Sequence, residues 1–162
     1  MQKSYKSIID SIGNTPLVEI NRLNPNKNIK IMAKIESANP GGSIKDRTAL
    51  FMIERAEKRG ELTHDKIILE ATSGNTGIGL AMIAAAKGYK LCLTLPESAS
   101  EERKKILRAL GADLYFTPAN QGTDGAIEVA YKMLRENPGK YFGTDQFNNE
   151  DHIAAHYYGT AQ

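Results

Sequence analysis

Tryptophan is absent and cysteine occurs once, as Cys92, so a chain of 162 residues has no disulfide framework to lean on. Cys92 lies in the apolar run Tyr89–Leu95 and reads as a small core residue rather than a reactive thiol. Long apolar stretches are missing as well: none approaches the roughly 20 residues that span a bilayer. Residues 1–6 are polar and lack the apolar region of a secretory leader, so a cytoplasmic location without membrane contact is expected. Neither sign of charge dominates, since 21 basic and 19 acidic residues leave a net +2. The basic residues form no block of the kind that binds nucleic acid. Arg103-Lys104-Lys105 sits among Glu101, Glu102 and Arg108 and reads as a solvated helix face.

What remains is ordinary globular material. Apolar residues make up 41% and charged residues 25%, enough to bury one core in one domain-sized chain. From residue 46 onward, helix and strand patterns alternate. Ala49, Met52, Ile53 and Ala56 repeat at helical spacing and predict a helix from Asp46 to Arg59, ended by Gly60. Lys66–Ala71 is β-prone. Gly77–Lys87 is helical and apolar on nearly all faces, which implies burial against a sheet. Tyr89–Leu95 is the next strand. Ser98 or Ser100 caps a third helix with Ile106, Leu107 and Leu110 inward, stopped at Gly111. Asp113–Thr117 is a strand, Thr123–Glu136 a helix, and Lys140–Gly143 a last short strand. This alternation predicts an α/β fold: an open parallel sheet of about four strands with flanking helices. Thr15–Ile20 and Ile29–Glu36 read as two further strands that need not join that sheet.

Two segments carry the chemistry. Thr72-Ser73-Gly74-Asn75-Thr76-Gly77 links a strand to a helix, so its backbone N–H groups sit at a helix N-terminus, where a carboxylate or phosphate is favoured. Gly74, Gly77 and Gly79 allow close backbone approach, and Thr72, Ser73, Asn75 and Thr76 add side-chain donors. An ordinary capped turn is the plain alternative. The glycine order does not match the dinucleotide fingerprint G-x-G-x-x-G, nor is there a G-x-x-x-x-G-K-[ST] loop. Glu97, placed where a ribose-binding acid would fall, keeps a flavodoxin-like nucleotide binder as a minor alternative.

The second segment is Asn39-Pro40-Gly41-Gly42-Ser43-Ile44-Lys45, a loop that delivers Lys45 to the start of a helix. The positive helix end and burial both disfavour the ammonium form, which is the direction that imine chemistry requires. Asp46 reads as an N-terminal helix acid, and Arg47 as a surface or structural ion-pair partner. Gln146 follows the last strand, at the strand ends where ligands gather in open α/β sheets. His152 and His156 stand four apart on a helix, but no third ligand is evident; they read as a surface pair, and no metal is expected. His64 lies in a polar turn without an assigned role.

Ile12-Gly13-Asn14-Thr15-Pro16-Leu17, Asn39 to Arg47, Glu70 to Gly77, Pro96 with Ser100-Glu101-Glu102-Arg103, Gly111-Ala112 and Asp145-Gln146-Phe147-Asn148-Asn149 follow one another along the chain. In that order they resemble the cysteine synthase and cystathionine β-synthase family of fold-type II pyridoxal-phosphate enzymes. Gln121 to Ala126 and the Gln146–Asn149 run look most like the cysteine synthase B type, although position 123 is Thr where that type usually has methionine. The resemblance implies a cofactor, pyridoxal 5'-phosphate, held as an internal aldimine by Lys45, which also shuttles the Cα proton. It implies that Asn75 bonds the pyridoxal 3′-oxygen, and that Thr72, Ser73, Thr76 and Gln146 hold the carboxylate of an amino acid such as O-acetylserine. Acetate is then eliminated and sulfide added to give cysteine.

The resemblance also implies a division of the chain. Residues 1–36 would supply strands to a larger domain, 37–145 would form the three-layer small domain, and 146–162 would begin a C-terminal helix. Family members run to about twice this length and continue into the loop that cradles the cofactor phosphate. The expectation is therefore a fragment, weakly active by itself, that pairs as a homodimer or with a missing second half. A non-catalytic α/β module that keeps the carboxylate-binding turn, or serves in assembly, is the alternative.

Overall fold

The computed structural model describes residues 4–162. Four parallel strands form its sheet: β3 (Ile67–Ala71), β4 (Lys90–Pro96), β5 (Asp113–Thr117) and β6 (Tyr141–Gly143), in the order β5-β4-β3-β6. The pairing runs from Ile67 opposite Lys90 and from Cys92 opposite Asp113, with Ile67 also opposite Tyr141. Successive side chains along a strand face opposite ways, and here each way is covered. Ile68, Leu91, Leu93 and Leu95 join one core cluster with α1 (Lys45–Arg59) and α2 (Asn75–Lys87). Leu69 and Ala71 join a second cluster with Ala126 and Ala130 of α4 (Gly122–Glu136). The expected α/β architecture of four parallel strands between helices is what forms.

Helices α1 and α2 match their patterns closely. In α1, Ala49, Met52, Ile53 and Ala56 are all fully buried, and Gly60 ends the helix in the left-handed conformation at φ 71°. Helix α2 is buried nearly all round, which is why its sequence shows no polar stripe. It starts at Asn75, two residues before the predicted start, because the Ile78 N–H already bonds the Gly74 carbonyl at 3.3 Å. Helices α1 and α2 approach closely at Gly79: a Cβ there would lie 3.2 Å from both the Ala49 Cβ and the Lys45 carbonyl oxygen.

Helix α3 (Glu101–Ala109) corrects two expectations. Lys104 is not solvated; its Nζ donates to the Glu97 carbonyl at 2.6 Å and to Glu101 at 2.7 Å, over the Phe116 ring. Ile106 is exposed, at one side of an apolar groove of about 380 Å³ that also touches Pro40, Ile78 and Met82. Only Leu107 of its apolar face is fully buried. Cys92 is half-buried on β4, and burial pushes its thiol up, away from the reactive thiolate.

The two early strands pair with each other, antiparallel, as β1 (Leu17–Glu19) and β2 (Met32–Lys34), apart from the main sheet. They are shorter than the sequence pattern suggests, and Leu17, Val18 and Met32 stay exposed. Asn24 folds the connection by bonding Ile29 and Asn26, and Lys27 Nζ donates to the Asn21 and Asn24 carbonyls. Just before β1, a short 3₁₀ turn at Ile8–Ser11 brings Ile9 and Ile12 onto the first core cluster.

A buried polar knot fastens this region to α1. Arg47 donates from Nε to Glu36 at 2.7 Å and from its second nitrogen to Glu36 and Thr15, each at 3.0 Å. Thr15 and Asn39 complete the carboxylate's hydrogen bonds, and Asn39 also accepts from the Gly13 N–H at 2.9 Å. Arg47 is thus a structural ion-pair partner, not a surface one. Burial pushes the Glu36 carboxyl up, but the hydrogen bonds from Arg47, Thr15 and Asn39 outweigh it and hold the group at about 2.

Two outcomes follow from these contacts. A carboxyl held below its ordinary value contributes stability that is full above the unfolded-state value and is lost as pH falls through the folded one. Glu36→Gln should therefore destabilise by about 3 kcal/mol at neutral pH, with the gap closing below roughly pH 4.5 and vanishing near pH 2 in urea titrations. A gap that does not change with pH would contradict the ion pair. Gly79→Ala gains up to about 1 kcal/mol of helix propensity but overpacks a backbone contact at about 1–3 kcal/mol. Thermal melts should show a net loss; a more stable variant would mean that the helices are not in close contact there.

Candidate active site

Strand order reverses at β3, because β4 and β5 build outward on one side of it and β6 on the other. The segments leaving the C-terminal ends of β3 and β6 therefore emerge side by side, the arrangement in which open α/β sheets bind ligands. Thr72 to Thr76 follows β3, and Thr144 to Gln146 follows β6. A hydrogen bond joins them: the buried Thr76 hydroxyl donates to Gln146 Oε1 at 2.7 Å.

Beneath Gln146 lies Glu70, the only acid of β3 and 5% exposed. Its carboxylate accepts from the Thr144 hydroxyl, from the Gln146 backbone N–H at 3.1 Å, from the Ala71 N–H at 3.0 Å, and at 3.4 Å from the Gln146 carboxamide nitrogen. Burial pushes the Glu70 carboxyl up, and these donors offset part of that cost. The Gln146 carboxamide is therefore oriented at both ends, oxygen toward Thr76 and nitrogen toward Glu70.

On the turn, Thr72 Oγ1 accepts from the Gly74 N–H at 3.1 Å, and α2 begins at the next residue. The amides of its first turn precede the first intrahelical bond and carry the positive end of the dipole. Ser73 is half-buried and Asn75 exposed; neither side chain has a hydrogen-bond partner among the described residues. The glycines of this motif serve differently from expectation. A Cβ at Gly77 would press on Leu93 and Thr72 at 3.2 Å, and Gly79 faces α1, so both are needed for packing rather than ligand approach. Gly74 has open space around it, with Thr72 Oγ1 the nearest atom at 3.9 Å.

Lys45 occupies the first position of α1, its N–H bonded to Ser43 Oγ at 3.1 Å and its side chain half-buried. The neighbouring Asp46 is fully buried and turned back into the loop, accepting from the Gly41 N–H at 2.6 Å. Burial pushes the Asp46 carboxyl up, and a Cβ at Gly41 would overlap it. Asp46 thus shapes the loop that delivers the lysine.

The pair of histidines at the surface is the expectation that fails. Helix α5 (Glu150–Ala155) packs against α1, with Asp151 bridging Arg55 and Arg59. That packing brings His152 Nε2 to 3.2 Å from Lys45 Nζ, while His152 Nδ1 lies 2.7 Å from the Gln146 carbonyl oxygen. His156 is half-buried beside it, ring centroids 5.5 Å apart, with Nδ1 3.0 Å from Thr160 Oγ1. Burial lowers the His156 imidazole, and the nearby His152, Lys45 and Arg47 lower it further. His64 stacks on Tyr89 at 4.4 Å, away from these groups. Among the described residues no three His, Cys, Asp or Glu side chains gather as metal ligands, and no helix is long and apolar enough to cross a membrane.

Lys45, His152, Gln146 and Thr76 are thus linked by successive contacts, with Thr72, Ser73 and Asn75 on the turn that carries Thr76. Sequence reasoning missed Glu70 and His152. Glu70 had a signal, a lone acid inside an apolar strand; His152 had none beyond its distance of six residues from Gln146.

Comparison with known proteins finds close relatives of this chain. A cysteine synthase from Flavobacterium sp. is 51% identical over 158 residues, covering 98% of this chain and 51% of that protein. Cysteine synthase B from Salmonella typhimurium is 51% identical over 147 residues, covering 91% of this chain and 48% of its own length. The crystal structure of cysteine synthase from Entamoeba histolytica superposes with a TM-score of 0.92 at 43% identity, over 97% of this chain and 48% of that one. The chain spans about half the length of the curated relatives it matches. A model of the family described as "Pyridoxal-phosphate dependent enzyme" matches residues 8–162. The chain belongs to this pyridoxal-phosphate dependent enzyme family, with the fold-type II α/β architecture of its cysteine synthases.

Proposed function

We propose that the protein containing this chain is a cysteine synthase, replacing the β-acetoxy group of O-acetylserine by sulfide to give cysteine and acetate. The observation that carries the reading is the linkage of the Lys45 amine, through His152, to the Gln146–Thr76 pair at the start of α2. The residues present fit the cofactor's needs: a half-buried amine for its aldehyde, and an exposed, unengaged Asn75 carboxamide for its ring oxygen. Bound pyridoxal phosphate supplies an electron-withdrawing ring that takes up the electron pair left when Cα loses its proton.

The side chains do the rest. Lys45 would hold the cofactor at its aldehyde and, displaced by the substrate's amine, would take the Cα proton on Nζ. Asn75 would donate to the 3′-oxygen and orient the ring. The hydroxyls of Thr72, Ser73 and Thr76, the Gln146 carboxamide and the first-turn amides of α2 hold the substrate carboxylate. Hydrogen bonds to a charged group contribute about 1.5–3 kcal/mol each, against about 0.3–1 kcal/mol for an exposed helix N-terminus. Side-chain donors therefore decide the binding, with the helix dipole secondary. The exposed apolar face of β1 and β2 supports giving the strands of residues 1–36 to a larger domain, with Ile9 and Ile12 packed on the small domain, 37–145, and 146–162 as the start of the next helix. Those strands would be covered by that domain, in a cytoplasmic homodimer or a paired chain.

Borohydride reduction after incubation with pyridoxal phosphate should leave the cofactor's mass on the peptide containing Lys45, and Lys45→Ala should abolish the label. Labelling elsewhere, or none, would refute the cofactor assignment and favour a non-catalytic module. In steady-state assays of the intact protein, Gln146→Ala and Thr76→Val should each raise KM for the amino-acid substrate about 10- to 100-fold. Unchanged KM in both would remove the carboxylate site from this turn.

A further inference from the structure

Helix α5 puts an imidazole where the lysine's amine comes to rest, and the ring's tautomer can be read from its partners. His152 Nδ1 is 2.7 Å from the Gln146 carbonyl oxygen, which can only accept, so Nδ1 carries a proton. His152 Nε2 faces Lys45 Nζ at 3.2 Å. A proton on Nε2 as well would set two cations against each other at that distance, so Nε2 offers its lone pair to the Lys45 N–H. His156 stands beside this ring, and Asp151 on the same helix is already engaged by Arg55 and Arg59 of α1. Among the described residues, the Lys45 amine has no other hydrogen-bond partner.

We propose that His152 docks the free amine of Lys45, holding the lysine beside Gln146 whenever it is not bonded to an aldehyde. This positioning role rests on the cofactor reading above. A lysine set free during each turnover would otherwise sample many rotamers, and a hydrogen bond from its charged form is strong enough to offset that entropy. Docking keeps Nζ beside the substrate site in the interval when it must hold and return the Cα proton. The same ring is tied to Gln146 through the carbonyl, so the lysine's resting place and the carboxylate-binding amide move together.

The first test needs no cofactor. In the intact protein stripped of pyridoxal phosphate, long-range ¹H–¹⁵N spectra should show His152 protonated at Nδ1 with Nε2 acting as acceptor. Lys45→Met should shift the Nε2 resonance and leave the Nδ1–H in place. A ring protonated at Nε2, or an Nε2 resonance indifferent to Lys45→Met, overturns the proposal. The second test is kinetic: His152→Phe should lower kcat about tenfold or more, and His152→Gln, whose amide oxygen can accept, should recover part of the loss. Wild-type kcat in His152→Phe, or equal losses in both variants that track their melting temperatures, also overturns it. The borohydride label reads the bond to the cofactor and the spectra read the free amine, so the two failures are distinguishable.

Discussion

The buried Glu70 carboxylate is the group around which the strand ends are organised. Burial raises the cost of its charge, and the remedy is a ring of donors from Thr144, the Gln146 backbone and carboxamide, and Ala71. An unpaired buried charge costs several kcal/mol, so these donors are not free to take other positions. The chain leaving β6 is consequently fixed against β3, and Gln146 with it. Everything bonded to Gln146 inherits that placement: Thr76 on one side and His152 on the other.

A second constraint comes from small residues. Gly77 lets α2 lie against Leu93 of the sheet, and Gly79 lets it lie against the first turn of α1. The helix that carries Lys45 and the helix that Asn75 opens are therefore in close contact near their first turns. Asp46 contributes from the other direction, by bonding the Gly41 N–H and closing the loop before Lys45. The Glu36–Arg47 pair then anchors the same helix to the segment around Thr15. Lys45 is held at its backbone from three sides, and its side chain reaches His152 Nε2 at 3.2 Å.

The sequence made the fold legible because local and global signals agreed. The apolar repeat of α1, the all-apolar α2 and the turns between strands each described one element, and each element formed. Parallel pairing followed from alternation alone. The motif residues of the turn and the lysine loop were legible too, since unusual density of glycine, hydroxyl and amide groups stands out in one dimension. Lys104 and His152 were misread because both are polar side chains on helices with otherwise exposed neighbours, and burial depends on how the helix packs, near in sequence for one and far for the other. Lys104 finds the Glu97 carbonyl and Phe116, and His152 finds Lys45, 107 positions away. The glycine misreading has a different origin, because a small residue near a binding turn serves packing or ligand approach equally well until its neighbours are known.

The separation of charge in this region has a consequence for binding. Glu70 lies beneath the Gln146 carboxamide and accepts hydrogen bonds from Thr144, Gln146 and Ala71. The turn presents the half-buried Thr72 and Ser73, the exposed Asn75 and the first-turn amides of α2, whereas the Thr76 hydroxyl and the Gln146 carboxamide are buried. On the proposed reading, a carboxylate arriving there meets the first-turn amides of α2, while the hydrogen bonds that Glu70 accepts stabilise its carboxyl without cancelling a charge on it. An apolar residue at position 70 would avoid the burial cost but remove the acceptor of the Gln146 carboxamide nitrogen, leaving the amide's orientation to Thr76 alone. The buried charge is thus best understood as orienting the amide, with stability secondary, since hydrophobic replacement of buried ionic groups is often neutral or stabilising.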